Sequence, residues 1–368
     1  MKSVAAINRE HSKPLEIGEI DVDDPQPNEV MVKVVASGIC HTDFLVRDGI
    51  YPTALPAVAG HEGAGIVEKI GSNVTTVVPG DYVIMAPGSC GVCKTCRKGK
   101  PSYCVSFKTL NINGMRLDGS VGFNESGNPV SSHFYGQSSF SQYTLANERS
   151  VVKVAGDVPI ELLGPLGCGL ETGAGSIINS LAVRAGESVA VFGAGSVGSA
   201  AIMAAKLVGA NTIIAVDLSD QRLEFAQTIG ATHTINSSHE DLFTRVTEIT
   251  GGEGVDASLN STASGTVTRQ AADILGALGR VGTVAAPPSG AEVTFEVGDS
   301  LLKGWTFKNI VQGDSVYQSF IPELVEHWRA GRFPIDKLVT YYELTDINRA
   351  FDDIESGATV KAIVRMPQ

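Results

Sequence analysis

Two hydrophobic rhythms divide this chain. In the first third, short β-type runs such as Val30-Met-Val-Lys-Val-Val alternate with glycine and proline, as in Gly63-Ala-Gly-Ile-Val and Val78-Pro-Gly-Asp-Tyr-Val-Ile. Runs of that length between turn residues predict a strand-rich, partly closed sheet. From about residue 108 to 141 the chain becomes polar and rich in Gly, Ser and Asn, which predicts a surface lobe of loop with a few short strands. Beyond residue 170, apolar strands at 189–192, 212–216, 257–260 and 279–284 alternate with helical stretches, among them 199–208. Such alternation builds parallel βαβ units with helices on both faces of a sheet. The Ala-Ala-Pro-Pro-Ser-Gly stretch at 285–290 breaks the pattern. A helix at 319–331, with Pro322 in its first turn, and a strand at 360–366 follow, and both are expected to return to the first domain. The chain has no internal repeat and no low-complexity tract.

At roughly 150 residues per domain, a chain of 368 residues predicts two domains. With 43% hydrophobic and 18% charged residues it is too apolar for a disordered scaffold. The 28 basic and 40 acidic side chains leave a net charge of −12, which repels phosphate backbones and anionic lipid surfaces, so no nucleic-acid or membrane partner is expected. Lys2, Arg9, Glu10 and Lys13 punctuate the first residues with no apolar core of signal-peptide length between them, and the expected location is the cytoplasm. One uncharged stretch, 188–205, approaches membrane length, but Gly193, Gly195 and Gly198 interrupt it and favour a strand followed by a helix.

Those glycines form the first chemical signal. Gly193-Ala-Gly195-Ser-Val197-Gly198 has the GxGxxG spacing between an expected strand and an expected helix, and Asp217 ends the next strand nineteen residues after Gly198. A carboxylate there hydrogen-bonds the ribose of a dinucleotide, while the helix N-terminus receives the pyrophosphate. The alternative is a glycine turn without a ligand.

Four of the six cysteines, Cys90, Cys93, Cys96 and Cys104, fall within fifteen residues. They offer four soft ligands for a tetrahedral zinc of structural type, closed to substrate. Lys94, Arg97, Lys98 and Lys100 can offset the surplus negative charge of four thiolates around Zn²⁺. Free thiols or disulfides are the alternatives, and disulfides suit a chain of this length in a reducing compartment poorly. A third group is dispersed: Cys40 in Gly-Ile-Cys-His-Thr-Asp, His61 in Ala-Gly-His-Glu-Gly-Ala-Gly, and Cys168 in Gly-Cys-Gly-Leu-Glu-Thr-Gly. Two thiolates and an imidazole make a zinc site with an open fourth position. Singly, each residue is also an ordinary buried side chain.

Taken together, the Gly-His-Glu-x-x-Gly signature around His61, the four-cysteine loop and the Gly-Ala-Gly-Ser-Val-Gly fingerprint resemble the zinc-dependent medium-chain alcohol dehydrogenase family, over essentially the whole chain. Cys-His-Thr-Asp, Cys-Gly-Leu-Glu-Thr-Gly and the long loop after the four cysteines look closest to the bacterial aryl-alcohol (benzyl alcohol) dehydrogenases. The resemblance implies an α/β protein with a GroES-like β-rich catalytic domain in two segments, 1–169 and 311–368, carrying a structural-zinc lobe at about 88–106. A Rossmann domain with a doubly wound parallel sheet, 170–310, lies between them in the chain.

Position by position, the resemblance makes Cys40, His61 and Cys168 the catalytic zinc ligands, with Glu62 as an acidic neighbour and Asp43 as the carboxylate that orients the ligand histidine. Thr42 becomes the hydroxyl facing the alcohol. Thr172 and Val197 fall at positions packing the nicotinamide, His41 and Lys361 at basic contacts to the pyrophosphate, and Tyr51, Phe134, Tyr135 and Ile310 at walls of the substrate pocket. Arg222, in the turn after Asp217, is a further contact on the ribose side that softens discrimination against NADP⁺. Plainer readings stand beside three of these: a salt bridge for Glu62, core packing for Val197 and a solvated charge for Lys361. The family's usual relay histidine is replaced by Leu45, which leaves His41 or solvent to take the proton.

The implied activity is reversible oxidation of a primary alcohol, aromatic or allylic, to its aldehyde, with hydride transfer to NAD, two zinc ions per chain and a homodimer or homotetramer. A metal is needed because a free alcohol is barely ionised at neutral pH. Polyol dehydrogenases usually carry a carboxylate where Cys168 stands, and glutathione-dependent formaldehyde dehydrogenases an acidic residue where Tyr51 stands. A broad aliphatic or terpenoid alcohol dehydrogenase, or a non-catalytic NAD-binding zinc protein, are the remaining alternatives.

Overall fold

A computed structural model describes residues 1–286 and 290–368, so the Pro-Pro-Ser centre of the 285–290 break lies outside the described residues. Two compact units are formed: residues 1–169, 316–326 and 335–368 make the first, and 170–315 with 327–334 the second.

In the first unit, strand Glu29–Gly38 is the hub. It is buried along nearly all its length, because Val30, Met31, Val32, Val34 and Ala36 leave neither face polar. It pairs antiparallel with Glu62–Ile70, with Tyr143–Asn147 and, at its far end, with Lys361–Arg365. The strand Lys361–Arg365 in turn lies parallel to Val339–Glu343. A second sheet contains Lys2–Asn8, Glu16–Val22 and Ala57–Val58, extended by the hairpin Phe123–Glu125 and Asn128–Val130. Ile7, Val32, Phe140, Leu145 and Phe351 belong to one core. Each buried side chain of this size contributes roughly 1.5–3 kcal/mol.

The stretch 108–141 corrects the sequence expectation in part: residues 117–119 and 126–129 are exposed, but the stretch from Val130 on is mostly buried. Its two short strands are present, but Asn111, Ser131, Ser132, His133, Gln137, Ser138, Ser139 and Ser141 are buried rather than set on a surface lobe. Their polar groups serve the backbone. Ser138 Oγ donates to the Val58 carbonyl at 2.6 Å and accepts from Phe134 N at 3.0 Å, and Asn111 Nδ2 donates to Gly88 O at 3.0 Å. A buried irregular segment must satisfy its peptide groups somehow, and short hydroxyl and amide side chains do so here. The composition of an exposed loop and that of an internally bonded one are the same.

The second unit is a six-stranded sheet, all parallel, in the order His233–Asn236, Thr212–Asp217, Ser188–Phe192, Val255–Asn260, Leu275–Thr283, Thr306–Asn309. That is the doubly wound order 3-2-1-4-5-6 of dinucleotide-binding sheets. The inner strands are buried apolar runs, as parallel strands covered on both faces must be. Helix Ser196–Leu207 begins three residues earlier than its apolar pattern indicates, because its first turn is the glycine fingerprint. Helix Tyr317–Arg329 also starts early, so Pro322 lies inside it rather than in its first turn. Among the described residues no helix is long and apolar enough to cross a membrane.

Candidate active site and metal centres

Three loops of the first unit bring Cys40, His61 and Cys168 together. Cys40 follows the hub strand and caps helix His41–Arg47, His61 precedes strand Glu62–Ile70, and Cys168 closes the short turn Gly164–Gly167. One ligand atom from each lies within 4.8 Å of the others. Asp43, fully buried, holds the group in shape. Its Oδ1 meets His61 Nδ1 at 2.9 Å and accepts from Gly60 N at 3.0 Å, while its Oδ2 accepts from Cys40 N at 2.9 Å. A carboxylate on Nδ1 directs Nε2 toward the thiols.

His61 Nε2 is buried without a hydrogen-bond partner, an orphan that a metal ion would satisfy. The donors also act on one another's charge. Burial opposes a charge on the His61 ring, yet the Asp43 carboxylate and Cys40 hold its affinity for a proton at about 10. The Cys40 thiol is drawn well below its ordinary value by Cys168, against burial, and further by His61. Two thiols and an imidazole with one centre in common are a zinc donor set with a position left open. Thr42 Oγ1 stands 3.8 Å from Cys40 Sγ, at the rim of that position.

Behind the ligands lies a buried ion pair. Glu62 Oε2 meets Lys361 Nζ at 2.6 Å, Glu62 Oε1 accepts from Gly169 N at 3.1 Å, and Lys361 also donates to Ile39 O at 3.0 Å. Burial would strip the proton from Lys361, and the Glu62 charge more than restores it. Lys361 is 1% exposed, so the expectation of a cation facing a pyrophosphate gives way to an ammonium enclosed between a carboxylate and a carbonyl. For Glu62 the plainer alternative, a salt bridge, describes what is seen. His41 is exposed and stacks on Phe44 at 5.7 Å, and Leu45 is buried beside it.

Aromatic rings enclose His61. Tyr135 lies 4.6 Å from the imidazole and Phe134 meets it edge-on at 5.4 Å, with Tyr51 half-buried and within reach of the Tyr135 phenol. Tyr135 has φ 49° and ψ 34°, a left-handed conformation that a bulky residue adopts only when its surroundings impose it. Phe134 has no exposed surface and braces the imidazole instead of lining an open wall. Ile310, the fourth expected wall residue, is buried in the second unit. One positioning residue had no sequence signal: Gln137 donates to His61 O and accepts from Gly63 N, both at 3.0 Å, clamping the segment that carries the ligand.

The thiols of Cys90, Cys93, Cys96 and Cys104 also converge within 4.8 Å, on a loop that is half-exposed apart from Cys104. All six cysteines are free thiols. Thr95 and backbone amides draw the Cys93 thiol down to about 5, while burial and the neighbouring Cys93 push Cys96 up to about 12. Four thiolates this close repel one another, and a cation among them would offset that charge. Lys94, Arg97, Lys98 and Lys100 are exposed on the same loop.

In the second unit the fingerprint has the form its spacing suggests. Gly193 has φ +86°, Gly198 lies against the Gly193 carbonyl with no room for a Cβ, and Gly195 faces open space. Gly195 caps helix Ser196–Leu207 without a side-chain hydrogen bond, leaving the first helical N–H groups for an anion. Asp217 accepts from Ala194 N at 2.7 Å and from Leu218 N and Ser219 N, so the carboxylate ties the glycine loop to the end of the next strand. Arg222 lies half-buried in the first turn of helix Asp220–Ile229, and Val197 is half-buried at the start of its own helix. Thr172 is buried and donates to Gln312 Oε1 at 3.3 Å.

Residues 26–156 match the alcohol dehydrogenase GroES-like domain, and residues 196–326 match the zinc-binding dehydrogenase domain. The chain is 40% identical to geraniol dehydrogenase of Castellaniella defragrans over 362 residues, covering 98% of this chain and 96% of that one. It superposes on the crystal structure of benzyl alcohol dehydrogenase from Acinetobacter calcoaceticus with a TM-score of 0.97, at 45% identity and full coverage of both chains. An alcohol dehydrogenase zinc-binding domain protein from Burkholderia ambifaria gives 0.98 at 49%, again with full coverage. The chain belongs to the zinc-dependent, NAD-linked medium-chain alcohol dehydrogenases.

Proposed function

We propose that this enzyme interconverts primary aromatic or allylic alcohols and their aldehydes, using NAD. The observation that carries the reading is the pairing of an open three-ligand centre with the rings of Tyr135 and Tyr51 beside it. Flat unsaturated substrates gain about 1 kcal/mol per ring contact over an aliphatic of similar size. The relatives named for geraniol and benzyl alcohol, one allylic and one aromatic, point the same way. Zinc held by Cys40, His61 and Cys168 would supply the Lewis acid that makes a bound hydroxyl acidic at neutral pH.

The chain's own groups do the rest. Asp43 keeps Nε2 of His61 turned to the centre, Thr42 offers its hydroxyl to the alcohol proton, and His41, exposed one residue away, takes that proton onward where Leu45 cannot. The uncapped helix start would take the pyrophosphate that both cofactors share, and Asp217 favours NAD⁺ over NADP⁺, since a carboxylate about 4 Å from a phosphate charge costs roughly 4 kcal/mol at an effective dielectric of 20. Free thiols suit the reducing cytoplasm as the place of action. Self-association is supported by the sheet edge Thr306–Asn309, exposed at all four positions, with Leu278, Leu301 and Leu302 exposed on the strand and helix next to it.

The test is kcat/KM for benzyl, cinnamyl, geranyl and short aliphatic alcohols with NAD⁺, repeated with NADP⁺. Benzyl or geranyl alcohol should exceed ethanol by at least about tenfold, one or two ring contacts at 1.4 kcal/mol per decade. Equal values for ethanol and benzyl alcohol would sink the substrate assignment.

A further inference from the structure

One short segment of the first unit supplies both the aromatic wall and a clamp on a metal ligand. Phe134 and Tyr135, whose rings enclose His61, are followed by Gln137, Ser138, Ser139 and Phe140, all four without exposed surface. Each of the four bonds to the stretch 58–63, which carries His61. Ser138 Oγ donates to Val58 O at 2.6 Å, Phe140 N to Ala59 O at 3.0 Å and Ser139 N to Gly60 O at 2.9 Å. The Gln137 side chain takes the next two groups, His61 O and Gly63 N, both at 3.0 Å.

Those two bonds stand where a strand is missing. Strand Glu62–Ile70 has registered partners in Tyr82–Met85 only from Ala64 onward. The amide bridges the carbonyl before Glu62 and the N–H after it, as a residue of an adjoining strand would. Without it a buried carbonyl and a buried N–H beside the ligand would go unsatisfied. The approach is close. A Cβ on Gly63 would lie 2.5 Å from both Ser139 Cβ and Met85 Cε, so the glycine that follows His61-Glu62 is required by this contact.

The backbone of Gln137 is tied to the wall. Its N–H donates to Phe134 O at 3.1 Å, and its carbonyl accepts from Thr144 Oγ1. Tyr135 and Gly136 have φ 49° and 70°, and Ser138 has 53°. Tyrosine and serine do not choose that region unaided. The Tyr135 ring is therefore aimed by the bonds on either side of it, and the same bonds reach the His61 backbone.

We propose that Gln137 is a positioning residue that fixes the Tyr135 ring relative to His61, and so sets the preference for flat unsaturated alcohols over short aliphatic ones. This rests on the assignment of Tyr135 to the substrate wall. A flat ring gains from a wall only when the wall stays at one distance from the reacting centre, whereas an alcohol of two carbons has little surface to bring to it.

Kinetics, zinc release and amide exchange on the zinc-loaded enzyme test it. Gln137→Met keeps the side-chain length and loses both bonds, Gln137→Ala lets water reach the same two groups, and Ser139→Ala removes the Ser139–Ser37 hydroxyl contact at 2.7 Å in the same segment. In Gln137→Met the KM for benzyl alcohol should rise about tenfold with kcat within about twofold, while the KM for ethanol moves less than about threefold. Zinc should pass from the Cys40–His61–Cys168 centre to a chelator about tenfold faster, with release from the four-cysteine loop unchanged. The Gly63 amide should exchange faster. Gln137→Ala should move in the same direction, and decides if the methionine variant does not fold. Ser139→Ala should lower the melting temperature and leave the benzyl-to-ethanol ratio and both zinc release rates at wild-type values. Wild-type selectivity and zinc release in the Gln137 variants overturn the proposal. Equal shifts in Ser139→Ala overturn it too, since any loosening of the segment would then suffice. If the wild-type enzyme shows no preference for benzyl alcohol over ethanol, the substrate assignment falls, and zinc release and exchange alone judge whether Gln137 holds the ligand.

Discussion

The two cysteine-bearing centres of the first unit are assembled in opposite ways. Cys90, Cys93, Cys96 and Cys104 come from one half-exposed loop whose thiols lean on each other, on Thr95 and on local amides. Cys40, His61 and Cys168 come from three separate loops, and what aims them is buried and drawn from near and far in the chain: Asp43 and Glu62 beside the ligands, Gln137 and Lys361 far from them. A closed four-ligand site needs only to be filled, whereas an open one must hold its geometry while a position stays free for chemistry. The outer hydrogen bonds therefore cluster at the second centre.

Replacing ligands one centre at a time gives the sharpest contrast. His61→Ala should lower kcat/KM at least about 10³-fold, since a Lewis acid contributes several kcal/mol at 1.4 kcal/mol per decade. It should also reduce bound zinc from about two per chain to about one. Cys96→Ser should lose the other zinc and thermal stability, with kcat per folded molecule largely kept. Steady-state rates, metal analysis and thermal melts check both, and a ligand variant of the cysteine loop that abolishes kcat while still folded would break the distinction.

Lys361→Met should act next most strongly, and on stability first. It leaves the Glu62 carboxylate buried and unpaired, which costs about 3–5 kcal/mol in denaturant unfolding. Adding Glu62→Gln to it should recover a large part of that loss, because the stranded charge is gone. No recovery in the double variant would mean that Lys361 acts through its packing and not through the pair.

The smallest effect is expected on the exposed loop. Lys94→Ala with Lys98→Ala should shift the melting free energy by less than about 1 kcal/mol and only at low salt, because exposed charges are screened. A salt-independent loss of zinc from the cysteine loop would promote these lysines from solvated neighbours to required counter-charges.

The legibility of the sequence followed the same division. The parallel strands, the glycine fingerprint and the cysteine loop could be read because each is contiguous: its pattern and its purpose occupy the same dozen residues. Cys40, His61 and Cys168 were unremarkable one at a time and became a centre only through family resemblance, since the spacing that matters is spatial. Lys361 was placed on a phosphate by the resemblance alone, and no local pattern announces a carboxylate 299 positions away. The serines of 131–141 were read as surface because hydroxyl groups that satisfy buried peptides look in sequence like those that face water. Gln137 carries no motif at all.

Strand Lys361–Arg365 lies between Glu29–Gly38 and Val339–Glu343, and places Lys361 under Glu62. On a ribosome the three ligand loops emerge early, and the whole of 170–315 is made before that strand exists. Domains fold as units during synthesis, N-terminal parts first, yet here the first unit lacks its last two strands, and Glu62 its counter-ion, until the second has been made. The support behind the three ligands is complete only once one of the last strands of the chain has been made.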